Sequence, residues 1–199
     1  DTKSTFITAI GVPFLVRDLD FVAYENERSV AMKSTWSSQQ RMAGISLYGM
    51  DADDFEGACG RGTFPFLNTV VHTQACKNCS SIEDVTPCDM TFAVSCTYRL
   101  NEHGENAPLP PSKIPFHQCS QIVVEGMKLK ADGNATFRDA FAADQFGELR
   151  RQVPRMEAKR LIASLQCDMM PEEFADMLKK GPATVTSLLA FVEKNGLSG

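Results

Sequence analysis

Ala43-Gly44-Ile45-Ser46-Leu47-Tyr48-Gly49-Met50 is a continuous apolar run without strict alternation. A strand with one solvated face alternates apolar and polar residues. A run of this kind belongs to a strand buried on both faces, as in a parallel sheet covered by helices. Upstream of it, Phe21-Val22-Ala23-Tyr24 reads as another strand. Ser29 and Val30 then open an amphipathic pattern that continues through Met32 and Trp36, so a helix is expected from about Glu27 to Arg41. Downstream, a second helix is expected from Pro65 to His72. Strand, helix, strand, helix is the rhythm of an α/β barrel or a doubly wound sheet.

The rhythm breaks at residues 76–90, a polar, turn-rich stretch holding Cys76, Cys79, Ser80, Ser81, Pro87 and Cys88. It then restarts. Thr91 to Cys96 reads as a strand, Asn101 to Pro115 as a proline-rich loop, and Gln121 to Met127 as a second strand followed by a helix near Asp144–Arg151. Arg160 to Ser164 is a third strand. A long helical stretch runs from about Pro171 to Asn195, with a break marked by Gly181-Pro182 and an end at Gly196. Pro171 followed by Glu172 and Glu173 is a good helix start, because acids complement the amino-terminal dipole.

The chain of 199 residues carries a net charge of −5, and no Lys/Arg stripe supplies phosphate-neutralising charge, which argues against a nucleic-acid surface. Its densest basic stretch (Arg150, Arg151, Arg155, Lys159, Arg160) is interrupted by acids and apolar residues and reads as a solvated helix face. No apolar run approaches the roughly 20 residues needed to span a bilayer, so no membrane partner is expected. Asp1-Thr2-Lys3 is not the start of a signal core; either a leader has been removed or the natural beginning lies elsewhere. The 7 cysteines stand at 59, 76, 79, 88, 96, 119 and 167, a density that suits an oxidising compartment. The acceptor sequons Asn134-Ala135-Thr136, after an Asp132-Gly133 turn, and Asn78-Cys79-Ser80 agree with export. Secretion is the expectation.

Two segments resemble glycoside hydrolase family 18, the chitinases and chitinase-like lectins. The first comprises Tyr24-Glu25-Asn26, Ser29, Lys33, Gly44 to Met50, Asp51-Ala52-Asp53-Asp54-Phe55-Glu56-Gly57 and Phe64-Pro65-Phe66-Leu67, and it resembles the seventh and eighth strands of that barrel with its closing helix. The second resembles the opening of the same barrel: Cys96 on a first strand, Cys119 before a second, Lys159 to Ser164 at the third, and Phe191 to Gly199 at the approach to the catalytic strand. The resemblance implies a disulfide between Cys96 and Cys119. It implies parts of (β/α)8 TIM barrels: residues 1–75 as the C-terminal part of one, residues 76–90 as a Cys-rich linker, and residues 91–199 as the N-terminal part of a second. The order is end first, beginning second. A junction between tandem repeats gives that order simply; a permuted assembly, with the five strands side by side, is the alternative.

Family 18 enzymes use the substrate's own acetamido group as nucleophile, assisted by acids in an Asp-x-x-Asp-x-Asp-x-Glu motif on the fourth strand. Here Ser198 stands in place of the first Asp, and Ser164-Leu165-Gln166-Cys167 replaces Ser-x-Gly-Gly at the third strand. The second repeat is therefore expected not to hydrolyse, and no catalytic residue is assigned. Tyr48 occupies the position of the family's sugar-floor tryptophan; tyrosine still stacks on sugars but offers a smaller face, and a core or rim role is equally open. Met50 and Asp51 lie near the carboxyl end of the same strand, where barrel enzymes build their sites. These three are the candidate substrate-binding residues.

Other chemistries fail on spacing. Asp51, Asp53, Asp54 and Glu56 lack the glutamate at the twelfth position of a calcium loop, and Asp53 and Asp54 read as fixing the loop and helix after the strand. Cys76-x-x-Cys79 has no second ligand pair at zinc spacing, and disulfides are its better reading. His72, His103 and His117 are scattered. Ser164 has no triad context, and Gly57, Gly60 and Gly62 lack the Lys-Ser/Thr of a phosphate cradle. No metal or cofactor is expected. The expected partners are chitin or other N-acetylglucosamine-containing glycans and neighbouring repeats or copies of the chain. Part of an active chitinase, or a building block of an extracellular filament or matrix, are the alternative functions.

Overall fold

A computed structural model describes residues 4–75, 93–100, 109–153 and 160–199. The chain divides into two units, Asp1–Ile45 with Asp53–Val94, and Ser46–Ala52 with Ser95–Gly199. The Cys-rich stretch 76–90, with Asn78, and the basic residues Arg155 and Lys159 lie outside the described residues, as does His103.

The first unit opens with an antiparallel meander of β1 (Ser4–Ile7), β2 (Val12–Arg17) and β3 (Asp20–Ala23). The strand expected at Phe21–Tyr24 is β3, and it pairs with β2 (Phe14 opposite Ala23, Arg17 opposite Asp20) rather than standing in a barrel sheet. Connection length is the reason. Only Asp18-Leu19 separate β2 from β3, and a link that short can join antiparallel strands alone, since a parallel pair needs a crossover of a dozen or more residues. Asp18 turns the chain at φ 54, a left-handed conformation that Asp tolerates better than most residues. The strand pairs of this hairpin were hidden because residues 4–17 carry no motif.

α1 (Glu27–Gln39) starts on a capping box: Asn26 Oδ1 accepts from the Ser29 backbone at 2.9 Å, and Ser29 Oγ accepts from the Asn26 backbone at 2.9 Å. Ser29 Oγ also donates to Glu25 Oε2 at 2.6 Å, and Lys33 pairs with the other carboxylate oxygen. The Tyr-acid-Ser-Lys element is thus a helix start. The inward stripe of α1 is Val30, Ser34 and Ser37, whereas Met32 and Trp36, expected on the apolar face, are exposed. Small serines let α2 (Pro65–Ala75) come close, and the polar atoms of Ser34 are used: Thr73 Oγ1 donates to Ser34 Oγ at 2.7 Å and Gln74 Nε2 to Ser34 O at 2.6 Å. Arg61 pairs with Glu27 at 2.9 Å.

Asp53 and Asp54 do the loop-fixing expected of them. Asp53 Oδ2 accepts from the Phe66 and Leu67 backbones at 3.1 Å each, capping α2, while burial pushes its carboxyl up against the downward pull of those N–H groups. Asp54 accepts from the Ala58 and Cys59 backbones at 2.8 Å each, and the Cys59 bond leads in holding its carboxyl below the usual range. Asp53→Ala leaves two α2 amides uncapped, and chemical denaturation should show a loss of about 1 kcal/mol, the usual cost of a lost cap. An unchanged midpoint would remove Asp53 from that role.

The other sheet has five strands and runs β4-β5-β6-β7, with β8 also on β6. Its strands are β4 (Gly44–Leu47), β5 (Ala93–Arg99), β6 (Gln121–Leu129), β7 (Ala135–Phe137) and β8 (Arg160–Cys167). β6 is parallel to β5 and β8 and antiparallel to β7. The architecture is α/β. Cys96, Tyr98, Ile122, Val124 and Met127 are buried, and α3 (Ala140–Gln152) contributes Ala142, Phe146 and Leu149 to the same core. Asp139 caps α3 by accepting from the Ala142 backbone at 2.7 Å, and that bond leads in holding its carboxyl below the ordinary range.

The long helical stretch is two helices, α4 (Pro171–Lys179) and α5 (Gly181–Asn195), divided at the expected Gly181-Pro182 and ended at Gly196 (φ 61). Beyond it, Ser198 N–H donates to Leu161 O and Ala163 N–H to Gly199 O, both at 2.7 Å. Residues 198–199 thereby lie along the edge of β8.

Candidate functional site

β4 ends at Leu47, and Tyr48 and Gly49 lead into a short 3-10 turn, Met50–Ala52. The Tyr48–Gly49 peptide bond is cis. Of the three residues singled out here, Tyr48 is 69% exposed and Met50 only 2%. Met50 therefore packs in the interior, whereas the Tyr48 ring is presented to solvent. Asp51 is half-buried, and its Oδ1 is buried without a hydrogen-bond partner among the described residues.

Two residues that carried no motif complete the surroundings of Tyr48. Arg99, the last residue of β5, and Glu125, on β6, are register partners on adjacent parallel strands. Tyr48 Oη donates to Glu125 Oε2 at 3.4 Å and accepts from Arg99 Nη2 at 3.4 Å. The Arg99 guanidinium carbon stands 5.8 Å from the Tyr48 ring centroid, within cation–π range, and Arg99 Nε lies 3.7 Å from Glu125 Oε2. These are long, partly solvated contacts, so each adds little stability, on the order of 0.5 kcal/mol for the ion pair. Their effect is orientation. The hydrogen bond to Tyr48, then the charge of Asp51, hold the Arg99 guanidinium more firmly protonated than usual.

Glu125 owes its position to the backbone. β6 carries an irregularity between Val124 and Met127, so Glu125 and Gly126 together stand opposite Ser164 of β8. Leu100 N–H donates to Glu125 O and Arg138 N–H to Gly126 O, both at 2.9 Å, which pins the bulged pair from two sides. Beneath, the buried Tyr98 hydroxyl donates to Leu109 O at 3.0 Å, and burial drives its phenol far above the ordinary tyrosine range. An exposed aromatic ring, one cation and two carboxylates at one strand end can stack on a sugar face and hydrogen-bond its hydroxyl and amide groups.

Cys96 and Cys119 are joined in a disulfide, and Cys59 and Cys167 are exposed free thiols. The negative charge of Asp54 pushes the Cys59 thiol up. Asn134 is exposed in the turn before β7. No helix among the described residues is long and apolar enough to cross a membrane.

The chain is similar to a chitinase-like protein of Caenorhabditis elegans, 33% identical over 159 residues that cover 78% of this chain and 15% of that protein. A putative chitinase of Pinctada maxima is 34% identical over 71 residues, 36% of this chain and 15% of its own. An endochitinase of Brugia malayi is 31% identical over 58 residues, 29% of this chain and 12% of its own. The chain thus spans 15% or less of the length of these relatives. No protein-family model and no solved structure matches it. Sequence similarity ties the chain to chitinase-like proteins. A match covering 78% of the chain cannot avoid its middle, so the similarity to the nematode protein crosses residues 76–90.

Proposed function

We propose that this chain is a junction within a secreted tandem chitinase-like protein, joining the end of one family 18 (β/α)8 repeat to the start of the next, and that it binds chitin-type glycans without hydrolysing them. The exposed Tyr48 ring, oriented by Arg99 and Glu125 at the end of β4, carries the binding reading. A single similarity covering 78% of the chain to one chitinase-like protein supports reading the two segments as parts of one natural protein. Against hydrolysis stands Ser198, at the position that the resemblance gives to the first acid of the family motif; its backbone N–H donates to Leu161 O of β8. The neighbouring of β4 and β5 in one sheet favours a variant of this reading, in which the last strand of one repeat pairs with the first of the next.

Titration of the chain with N-acetylglucosamine oligomers by calorimetry tests the proposal. Saturable binding with no cleavage products is expected. Tyr48→Ala should weaken it by roughly fivefold, corresponding to an aromatic platform contributing on the order of 1 kcal/mol. Absence of binding, or affinity indifferent to Tyr48→Ala, would leave the chain a building block; released shorter oligomers would make it part of an enzyme.

A further inference from the structure

Asn134 sits in a turn that holds it from several directions. Gly133 N–H donates to Lys130 O at 2.9 Å, Asp132 Oδ1 accepts from the Asn134 backbone at 2.9 Å, and Lys130 N–H donates to Asn134 O at 3.0 Å. Gly133 adopts φ 87 and lies under α5, where a Cβ would come 2.7 Å from Thr184 Oγ1. The turn is thus seated against the helix while the Asn134 side chain remains exposed. Ser187 Oγ of α5 donates to Asn134 Oδ1. That bond uses the carbonyl oxygen of the amide, while the exposed Asp132 carboxylate takes a side-chain hydrogen bond from Asn134. Thr136, two residues on, is the second β7 residue and pairs with Lys128 of β6.

We propose that Asn134 carries an N-linked oligosaccharide, attached at Nδ2: the residue is exposed on a surface turn at the head of a sequon, and a glycosylated amide keeps one N–H for the Asp132 carboxylate. The proposal rests on passage through the secretory route. A bond forms between Asn134 Nδ2 and the anomeric carbon of the first sugar. The bond from that carbon to the diphosphate of a lipid-linked oligosaccharide donor breaks, the lipid diphosphate leaves with the electron pair, and the amide proton is lost to base. Nothing is oxidised or reduced. Asparagine in Asn-x-Ser/Thr is the acceptor for this transfer, and exposure on a surface turn is what the bulky product requires.

The experiment expresses the full chain in a eukaryotic cell behind a heterologous leader and recovers it from the secretory lumen, so a failure of natural export leaves the test intact. Peptide mapping by mass spectrometry, before and after treatment with an amidase that converts glycosylated Asn to Asp, reads each sequon separately. The expected result is Asp at 134 after treatment, and loss of that modification in both Asn134→Gln and Thr136→Ala. Ser187→Ala should keep it, since the oxygen that Ser187 contacts takes no part in the new bond. A bare Asn134 peptide overturns the proposal, whether or not Asn78 carries sugar.

Discussion

Replacing both halves of the Cys96–Cys119 disulfide with alanine should lower the unfolding free energy by about 3 kcal/mol, the chain-entropy expectation for a loop of this size. The two cysteines are separated by 23 positions. They sit where β5 and β6 lie side by side: Cys96 is opposite Ile122, and Cys119 precedes β6. A parallel pair has no tight hairpin to hold its register, and the connection must leave one strand and return to the other. The covalent link restricts the unfolded chain at that connection, and removing it restores the lost freedom to the unfolded state. Both sulfur positions are buried, so two alanines also leave some unfilled volume. The double replacement is the right variant, because a single one frees a thiol to pair wrongly with exposed Cys59 or Cys167. Against a total of about 5–15 kcal/mol for ordinary domains, such a loss is a large fraction. A urea midpoint that stays put, with an unchanged slope, would show that the link carries no stability.

What the sequence revealed and what it concealed divide along physical lines. β4, β5, β6 and β8 were legible as strands from their short apolar runs, but the two-sided burial expected of β4 is not found: Gly44, Ile45 and Leu47 are half-buried, Ser46 is exposed, and β6 buries alternate residues. The division of the last helix was legible because Gly181-Pro182 cannot pass as an ordinary helix interior. α1 was legible as a helix but not in its rotation. Met32 and Trp36 are the large apolar residues, yet the inward stripe is Val30, Ser34 and Ser37, chosen for size rather than hydrophobicity so that α2 can approach. The meander was missed because its register depends on turns at Gly11 and Asp18, and period-2 patterns as short as β1 and β3 are weak signals.

The candidate site shows the same division. Tyr48, within the apolar run Ala43–Met50, was legible as a candidate through the family resemblance, which puts it at the place of a sugar-floor tryptophan. Arg99 and Glu125 were not, because a charged residue in a strand ordinarily marks a solvated face. Only the register that places Arg99 opposite Glu125 makes them a pair. Glu125 inside Gln121–Met127 was the one available signal: a lone carboxylate interrupting an apolar strand. Met50 illustrates the converse, a residue adjacent to the site in sequence and interior in space.

Gly126→Ala should destabilise the chain by about 2–4 kcal/mol, combining strain at a disfavoured φ with overpacking. Gly126 has φ 108, outside the range that side chains readily adopt, and an added Cβ would come 2.7 Å from Leu100 Cβ and 3.3 Å from Leu100 O. Neither neighbour can yield easily. Leu100 is fully buried, its N–H is held by Glu125 O, and its carbonyl accepts from Arg138 Nη2 at 2.8 Å. Gly147 supplies the opposite case in the same unit. It lies inside α3 with nothing near its missing Cβ, so Gly147→Ala should stabilise by about 0.5–1 kcal/mol. Opposite signs from the same chemical change would separate conformational strain from any general effect of adding a methyl group. Glu125 is the neighbour of Gly126 in the bulge, so Gly126→Ala should also displace the carboxylate that receives the Tyr48 hydroxyl. Glycan affinity would then fall at Gly126→Ala and hold at Gly147→Ala under conditions where both remain folded. If Gly126→Ala unfolds at the same denaturant concentration as the parent, the bulge is not the fixed element that aims Glu125.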